Sequence, residues 1–196
     1  MRVHYVHAHG EPEDFGLVLV EAGVAALRAA GHVVEVSDVF GWATGEKHCA
    51  EVREPVGSDV LRERRLIAAC DVLVLQFPVW WLGLPAGVRH WVDRFLGGVE
   101  PARRPAAGGA PRLKRGLCVA LGGRSRHDAA HAPFAPVDAV VGPIHRALLR
   151  APGFGSVSTV VLPQRAGSAA EADAVVADHR DRLVRLCAPD VHDVIA

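Results

Sequence analysis

Short apolar segments alternate with longer segments of helical periodicity along this chain. The clearest apolar run is Val72–Phe77, which is rich in Val and Leu. Such a run suits a strand that is buried on both faces of a parallel sheet. From Pro85 to Leu96 the apolar positions recur at the spacing of one helical face, and Pro85 suits the first turn of a helix. A buried strand followed by a helix is therefore predicted over this stretch.

The same alternation extends over the rest of the chain. Four further strands are predicted, at Val3–His7, Val33–Val36, Gly116–Leu121 and Val157–Leu162. Helices are predicted between them, at Phe15–Ala30, Leu61–Ala69, Asp138–Arg150 and Ala169–Leu186. Gly31 is a residue type that commonly ends a helix. Five β units separated by helices predict one doubly wound α/β domain over residues 1–196, with right-handed connections.

Charge and composition narrow the class of partner. Lys plus Arg (22) equals Asp plus Glu (22), so no global field favours nucleic acid or an acidic membrane surface. A small molecule or another protein is the expected partner. The chain opens without a leader pattern and no apolar run is long enough to span a bilayer, which favours a soluble cytoplasmic protein. Four widely spaced cysteines predict reduced, mostly buried thiols: Cys49, Cys70, Cys118 and Cys187.

The segment 97–115 is rich in Pro, Gly, Ala and Arg. This composition predicts a surface loop without catalytic residues. Within it, Arg103 and Arg104, and likewise Lys114 and Arg115, are expected to be solvated charges, although one of them could meet the 2'-phosphate of NADPH.

Three loops follow predicted strands and therefore meet at one edge of the sheet. The first, VHAHGEPEDF, leads into a helix amino terminus, whose N–H groups and positive dipole end favour an anion such as phosphate. The second, PVWWLGLP, carries Trp80 and Trp81, which either line a cleft or plug the end of the sheet. The third contains Gly122 and Gly123, where the backbone can approach a flat ligand closely. Together the loops predict a nucleotide or flavin pocket at a topological switch point.

Four segments, in this order and spacing, resemble the flavodoxin-like NAD(P)H:quinone oxidoreductase family. They are HAHGEPEDF (7–15), GHVVEVSDVF (31–40), QFPVWWLGLPAGVRHWVDRFL (76–96) and ALGG (120–123). The family includes DT-diaphorase, the bacterial modulator-of-drug-activity reductases and the oxidoreductase subunits of potassium efflux systems. The resemblance implies a flavodoxin-like fold with strand order 2-1-3-4-5 and a homodimer with sites at the interface. It also implies bound FMN or FAD, which passes electrons from NAD(P)H to a quinone or similar aromatic acceptor.

The resemblance also assigns residues to the cofactor. It places His9 and Phe15 at the phosphate and ribityl end of the flavin. It places the residues after the third strand at the isoalloxazine edge and the two glycines at the pyrimidine side. The candidate cofactor-binding set is His9, Asp14, Phe15, Pro78, Val79, Trp80, Trp81, Leu82, Gly122 and Gly123.

The chain departs from the family pattern at the phosphate end and in the loop after the glycine pair. Asp14 stands where the family usually has Ser or Thr, and an ionised carboxylate accepts hydrogen bonds but cannot donate one to phosphate. Asp14 is also a good N-cap, so it could satisfy the N–H groups that a phosphate would use. Gly16 replaces a common Asn. In the later loop, Asp128 and Phe134 stand where some members have Tyr and His, and the candidate catalytic residues are His127, Asp128 and His131.

Three functions follow from these residues. The leading one is a flavin-dependent NAD(P)H:quinone oxidoreductase. The alternative is a family member that has lost flavin and uses the cleft for dehydration, cyclisation or isomerisation of an aromatic or polyketide-like intermediate. The third is a non-catalytic regulatory subunit. His7 and His9 share one side of a strand end, so a metal site is conceivable, but the family pattern already explains this pair and no metal is expected.

Overall fold

Five short strands build a parallel sheet whose three central strands are buried on both faces. The strands are β1 (Arg2–His7), β2 (Val33–Asp38), β3 (Val72–Pro78), β4 (Lys114–Leu121) and β5 (Phe154–Leu162). Their order is β2-β1-β3-β4-β5, with every neighbouring pair parallel. The computed structural model describes residues 1–9, 14–40, 57–79, 83–96, 114–122, 137–150 and 153–188. The predicted doubly wound fold and strand order are confirmed.

Helices occupy the segments between the strands. They are α1 (Phe15–Ala29), α2 (Gly57–Ala69), α3 (Ala86–Trp91), α4 (Val137–Arg150) and α5 (Ala169–Leu186). The helix predicted after Pro85 is present, but it turns from α3 into a π-helical segment at Val92–Leu96. Gly31 follows α1 with φ of 82°, a conformation that glycine adopts readily. Within the described residues, no helix has the length and apolar character needed to cross a membrane.

Each face of the sheet carries its own apolar layer. On one face, α1 and α5 pack over residues such as Val3, Val74 and Leu117. On the other face, α2, α3, the π-helical segment and α4 pack over residues such as Leu73 and Phe77. The alternation of β3 between the two layers explains why its sequence is continuously apolar. Of the four cysteines, Cys70, Cys118 and Cys187 are buried free thiols, as predicted, and Cys49 lies outside the described residues.

A buried carboxylate joins the sheet to the helices of the second face. Glu63 of α2 accepts hydrogen bonds from Ser37 Oγ at 2.6 Å and from Trp91 Nε1 at 2.9 Å, and its Oε2 lies 3.4 Å from His4 Nε2. Burial raises the pKa of Glu63, but its hydrogen bonds and the charge of His4 outweigh that effect and hold the pKa below its usual range. This cluster fixes α2 and α3 against β1 and β2.

The expectation that Lys114 and Arg115 are solvated loop charges is wrong. β4 begins at Lys114, and consecutive strand residues point to opposite faces. Lys114 Nζ donates to the carbonyls of Ile67 and Ala68, at the end of α2. Arg115 donates to the carbonyls of Leu186 and Ala188, at the end of α5. The two cations therefore each cap one helix carboxyl terminus, where the helix dipole favours positive charge.

Replacement of Lys114 tests this capping. Lys114→Met keeps the aliphatic stem but leaves the carboxyl-terminal carbonyls of α2 without their donor, so we expect it to lower the free energy of unfolding by about 1–3 kcal/mol. Urea denaturation measures the change. Arg64→Met, on an exposed position of the same helix, is the control and should change stability by less than about 0.5 kcal/mol. An equal effect of the two variants would contradict the capping role.

Candidate flavin site

The strand order predicts a crevice at the carboxyl edge of the sheet. The connection from β1 leads to β2 on one side, whereas the connection from β3 leads to β4 on the other, so the chain diverges between β1 and β3. Ligands of open α/β sheets bind at this kind of switch point. His9 and Asp14 follow β1, and Pro78 and Val79 end β3. The predicted cofactor-binding residues that the structure describes thus flank this crevice, with Gly122 on the next strand.

The backbone continues the sheet ladder up to this edge. Val79 N–H donates to Leu121 O at 2.7 Å, and Gly122 N–H donates to Leu162 O at 3.0 Å. Pro78 and Gly122 are buried, and Val79 is half-buried. The ends of β3, β4 and β5 are therefore held in register, which gives a rigid backbone rim beside the crevice.

Asp14 is the N-cap of α1, as the sequence predicts. Its backbone is extended, with φ of −68° and ψ of 122°, and its Oδ1 accepts the Gly16 N–H at 2.8 Å. Its second oxygen, Oδ2, lies 3.0 Å from His9 Nδ1, and the side chain is 19% exposed. Burial raises the pKa of Asp14, but the hydrogen bonds from His9 and Gly16 and the positive charge of Arg165 outweigh it, so the net pKa is lowered. The carboxylate is ionised at neutral pH.

His9 lies directly against the first turn of α1. Its side chain is fully buried. A Cβ at position 16 would lie only 2.2 Å from His9 Cε1, so no residue with a side chain fits there without moving the imidazole. Gly16 is therefore the residue that lets His9 reach Asp14. The sequence signals the glycine as a departure from the family pattern, but not its reason.

Gln76 of β3 connects His9 to the centre of the protein. Its Nε2 donates to Gly16 O at 2.8 Å and also lies 3.1 Å from His9 Nε2, while its Oε1 accepts from Tyr5 OH at 2.5 Å. The carbonyl of Gly16 can only accept, so the amide nitrogen must face it. The second amide hydrogen then points at His9 Nε2, which accepts it. His9 is thereby neutral, with its one proton on Nδ1 directed at Asp14.

The network ends on α5. Tyr5 OH lies 3.1 Å from His179 Nε2, and because Tyr5 gives its hydrogen to Gln76, His179 donates to Tyr5. Within the described part of the chain, His179 Nδ1 is buried and has no hydrogen-bond partner. Burial, with a smaller contribution from the charge of Arg182, lowers the pKa of His179 from 6.5 to about 4. Sequence reasoning missed Tyr5 and His179, although Tyr5 is the only tyrosine in the chain.

His7 occupies the same edge beside His9. The two rings are stacked, with centroids 6.1 Å apart and an angle of 16° between their planes. Burial lowers the pKa of His7, against an opposing effect of the carboxylate of Asp38. His7 Nδ1 lies 4.0 Å from Asp38 Oδ1. No group of three or more metal-ligating side chains occurs among the residues that the structure describes.

The structure describes six of the thirteen predicted site residues. His9 and Asp14 are in contact, Phe15 is half-buried in the first turn of α1, and Pro78, Val79 and Gly122 lie side by side at the ends of two strands. Seven of the predicted site residues lie outside the described residues: Trp80, Trp81, Leu82, Gly123, His127, Asp128 and His131.

A family model described as "Flavodoxin-like fold" matches residues 1–186, and the chain belongs to that family. Among curated proteins, it is 28% identical over 188 residues to a ribosyldihydronicotinamide dehydrogenase-like protein, traD, of Penicillium crustosum. That match covers 79% of this chain and 70% of the relative. The chain also matches mammalian ribosyldihydronicotinamide dehydrogenases [quinone], of which it spans only about half the length (51%).

Solved structures share the fold across nearly the whole chain. An NAD(P)H:quinone oxidoreductase from Methanothermobacter marburgensis superposes with a TM-score of 0.71 at 22% identity, covering 98% of both chains. An FMN-dependent NADH-azoreductase from Bacillus anthracis, solved in complex with FMN, gives a TM-score of 0.62 at 10% identity. It covers 96% of this chain and 100% of the other. At these identities the likeness establishes the fold.

The network makes stability depend on pH through His179. Above pH 6.5 this histidine is neutral in both the folded and the unfolded chain. Between pH 6.5 and about 4 only the unfolded chain takes up the proton, so stability falls as the pH falls. The loss from this one residue reaches about 3 kcal/mol.

The variant His179→Gln keeps a donor for Tyr5 but does not titrate. We therefore expect it to lose about 3 kcal/mol less stability than the parent as the pH falls from 6.5 to about 4. Chemical denaturation at a series of pH values measures it. If the stability of the variant falls as steeply as that of the parent between pH 6.5 and about 4, His179 is not the group that causes the loss.

Proposed function

We propose that this chain is a flavin-dependent NAD(P)H:quinone oxidoreductase. The observation that carries the proposal is the switch point between β1 and β3, which is flanked by the residues that the family resemblance assigns to the cofactor. When bound, a flavin supplies two-electron chemistry, taking a hydride from NAD(P)H and returning the electron pair to a quinone or related aromatic acceptor. The names of the similar proteins, and the FMN bound in one of them, support this reading.

The described residues fit the ring end of a flavin. The backbone at Pro78 and Val79 and the buried Gly122 form a fixed rim without bulky polar side chains. Such a rim can offer peptide groups to the polar edge of an isoalloxazine, and Gly122 allows close approach. In this proposal Trp80, Trp81, Leu82 and Gly123 complete the ring site. The cofactor in this proposal is FMN or FAD.

The phosphate end fits less well. α1 presents the amino terminus expected for a phosphate, and His9 and Phe15 lie beside it. However, the carboxylate of Asp14 already accepts the N–H of Gly16 and the Nδ1–H of His9. This conflict is the main departure of the site from its family pattern.

Acid and base groups for the acceptor are proposed from the loop after β4. His127, Asp128 and His131 are the candidates, because this loop also begins at the carboxyl edge of the sheet. A homodimer with sites at the subunit interface, one domain over residues 1–196 and a cytoplasmic location belong to the same proposal.

The resident carboxylate favours a second candidate function. A family member without flavin could keep Asp14 in the place of the phosphate and use the crevice for a non-redox step on an aromatic or polyketide-like intermediate. His9, Asp14 and the three candidates after β4 would then supply the acid and base.

The visible spectrum of the purified protein separates the two functions. The oxidoreductase should be yellow, or should become so on reconstitution with FMN or FAD, and should then oxidise NADH or NADPH in a quinone-dependent manner. A colourless protein that takes up neither flavin would contradict the proposal and favour the non-redox alternative. Heat-denatured protein, carried through the same reconstitution, controls for adsorbed flavin.

A further inference from the structure

The amino terminus of α1 already holds an anion that belongs to the chain itself. Asp14 Oδ1 accepts the Gly16 N–H at 2.8 Å, and Oδ2 accepts the Nδ1–H of His9 at 3.0 Å. Helix N–H groups and an imidazole N–H are the donors that a bound phosphate would use at such a position. Two of these donors are therefore occupied before any ligand arrives.

His9 has no second proton to offer. Its Nε2 accepts from the amide of Gln76, and the orientation of that amide is fixed by Gly16 O at 2.8 Å and by Tyr5 OH at 2.5 Å. A neutral imidazole carries one N–H, and here it points at Asp14. A phosphate near α1 could gain this donor only by displacing the carboxylate.

The carboxylate is also held in place by packing. His9 fills the space beside Gly16, where an added Cβ would lie 2.2 Å from the ring, so the imidazole packs directly against the first turn of α1. Asp14 is the N-cap, and turning its side chain away would break two charge-assisted hydrogen bonds. The negative charge at this point is a built-in feature of the site.

We propose that Asp14 sets the charge specificity of the flavin site, so that the protein disfavours a terminal phosphate monoester relative to a flavin with less negative charge at the end of its ribityl chain. The inference rests on the proposed function and deepens it. A phosphate monoester carries about two negative charges at neutral pH, whereas each phosphate of a dinucleotide carries one and riboflavin carries none. Repulsion from Asp14 is graded in the same order because it scales with the charge.

Three flavins that share one ring system but differ in negative charge test the charge specificity of the site. Riboflavin, FMN and FAD are titrated by fluorescence against the parent protein and Asp14→Asn, which keeps a capping oxygen but removes the charge. We expect Asp14→Asn to bind FMN about tenfold more tightly or better, FAD with a smaller gain, and riboflavin within about twofold of the parent. The gain for FMN should shrink as salt is added.

Asp38→Asn is the matched control. Asp38 also lies at the carboxyl edge, at the end of β2, but its side chain is 58% exposed and does not cap a helix. Its replacement removes the same charge and should change the affinity for all three flavins by less than about twofold.

The outcomes distinguish this inference from the proposed function. Flavin binding that Asp14→Asn leaves unchanged, or improves equally for the three ligands, overturns the inference but leaves the oxidoreductase intact. A graded gain of the same size in Asp38→Asn also overturns it, because the effect would then belong to the edge as a whole. If neither the parent nor any variant binds a flavin, the proposed function is wrong and the inference falls with it.

Discussion

The carboxamide of Gln76 is the group on which the geometry of the site depends. It lies in a central strand, fully buried, and its two hydrogens and its oxygen are all engaged, with His9, Gly16 and Tyr5. Each buried amide donor or acceptor without a partner would lower the free energy of unfolding by about 1–3 kcal/mol. Any other orientation of the Gln76 amide would leave such groups without partners and is therefore disfavoured. The amide ties β1, β3 and α1 together at the point where the chain diverges. The Gln76 amide thereby fixes the position of the His9 imidazole and, through it, that of the Asp14 carboxylate.

A second consequence concerns charge. Because Gln76 donates to His9, the imidazole is neutral and directs its single proton outward to Asp14, which in turn caps α1. The dipole of α1 and two hydrogen bonds thus stabilise one negative charge inside the protein. The fold presents a ligand-binding edge, while the local residues decide how much negative charge a ligand can bring to it. Fold and specificity are set by different parts of the sequence here.

The fold was predictable because its signals are local. Runs such as Val72–Phe77 are buried on both faces, and the place of Asp14 before an apolar helical segment indicates that it caps α1. The strands are longer than predicted, since β4 begins at Lys114 inside what composition marked as loop. The polar network was not predictable, because its hydrogen bonds join residues 67, 71 and 174 positions apart. Nothing in a single sequence pairs Gln76 with His9, or Tyr5 with His179, before the sheet order is known.

The protonation state of His9 is the most direct test of the hydrogen-bond network around Gln76. Nitrogen-15 NMR of histidine-labelled protein distinguishes the two neutral tautomers and the imidazolium, and the signals of His9 are assigned by their loss in a His9→Gln variant. At neutral pH and without added ligand, we expect a neutral ring with the proton on Nδ1 and none on Nε2. Replacing Gln76 by Leu, which removes the donor to Nε2, should abolish this preference. A ring that carries a proton on Nε2 in the parent protein, whether as the neutral Nε2 tautomer or as the imidazolium, would contradict this arrangement, since Gln76 would then lack its acceptor.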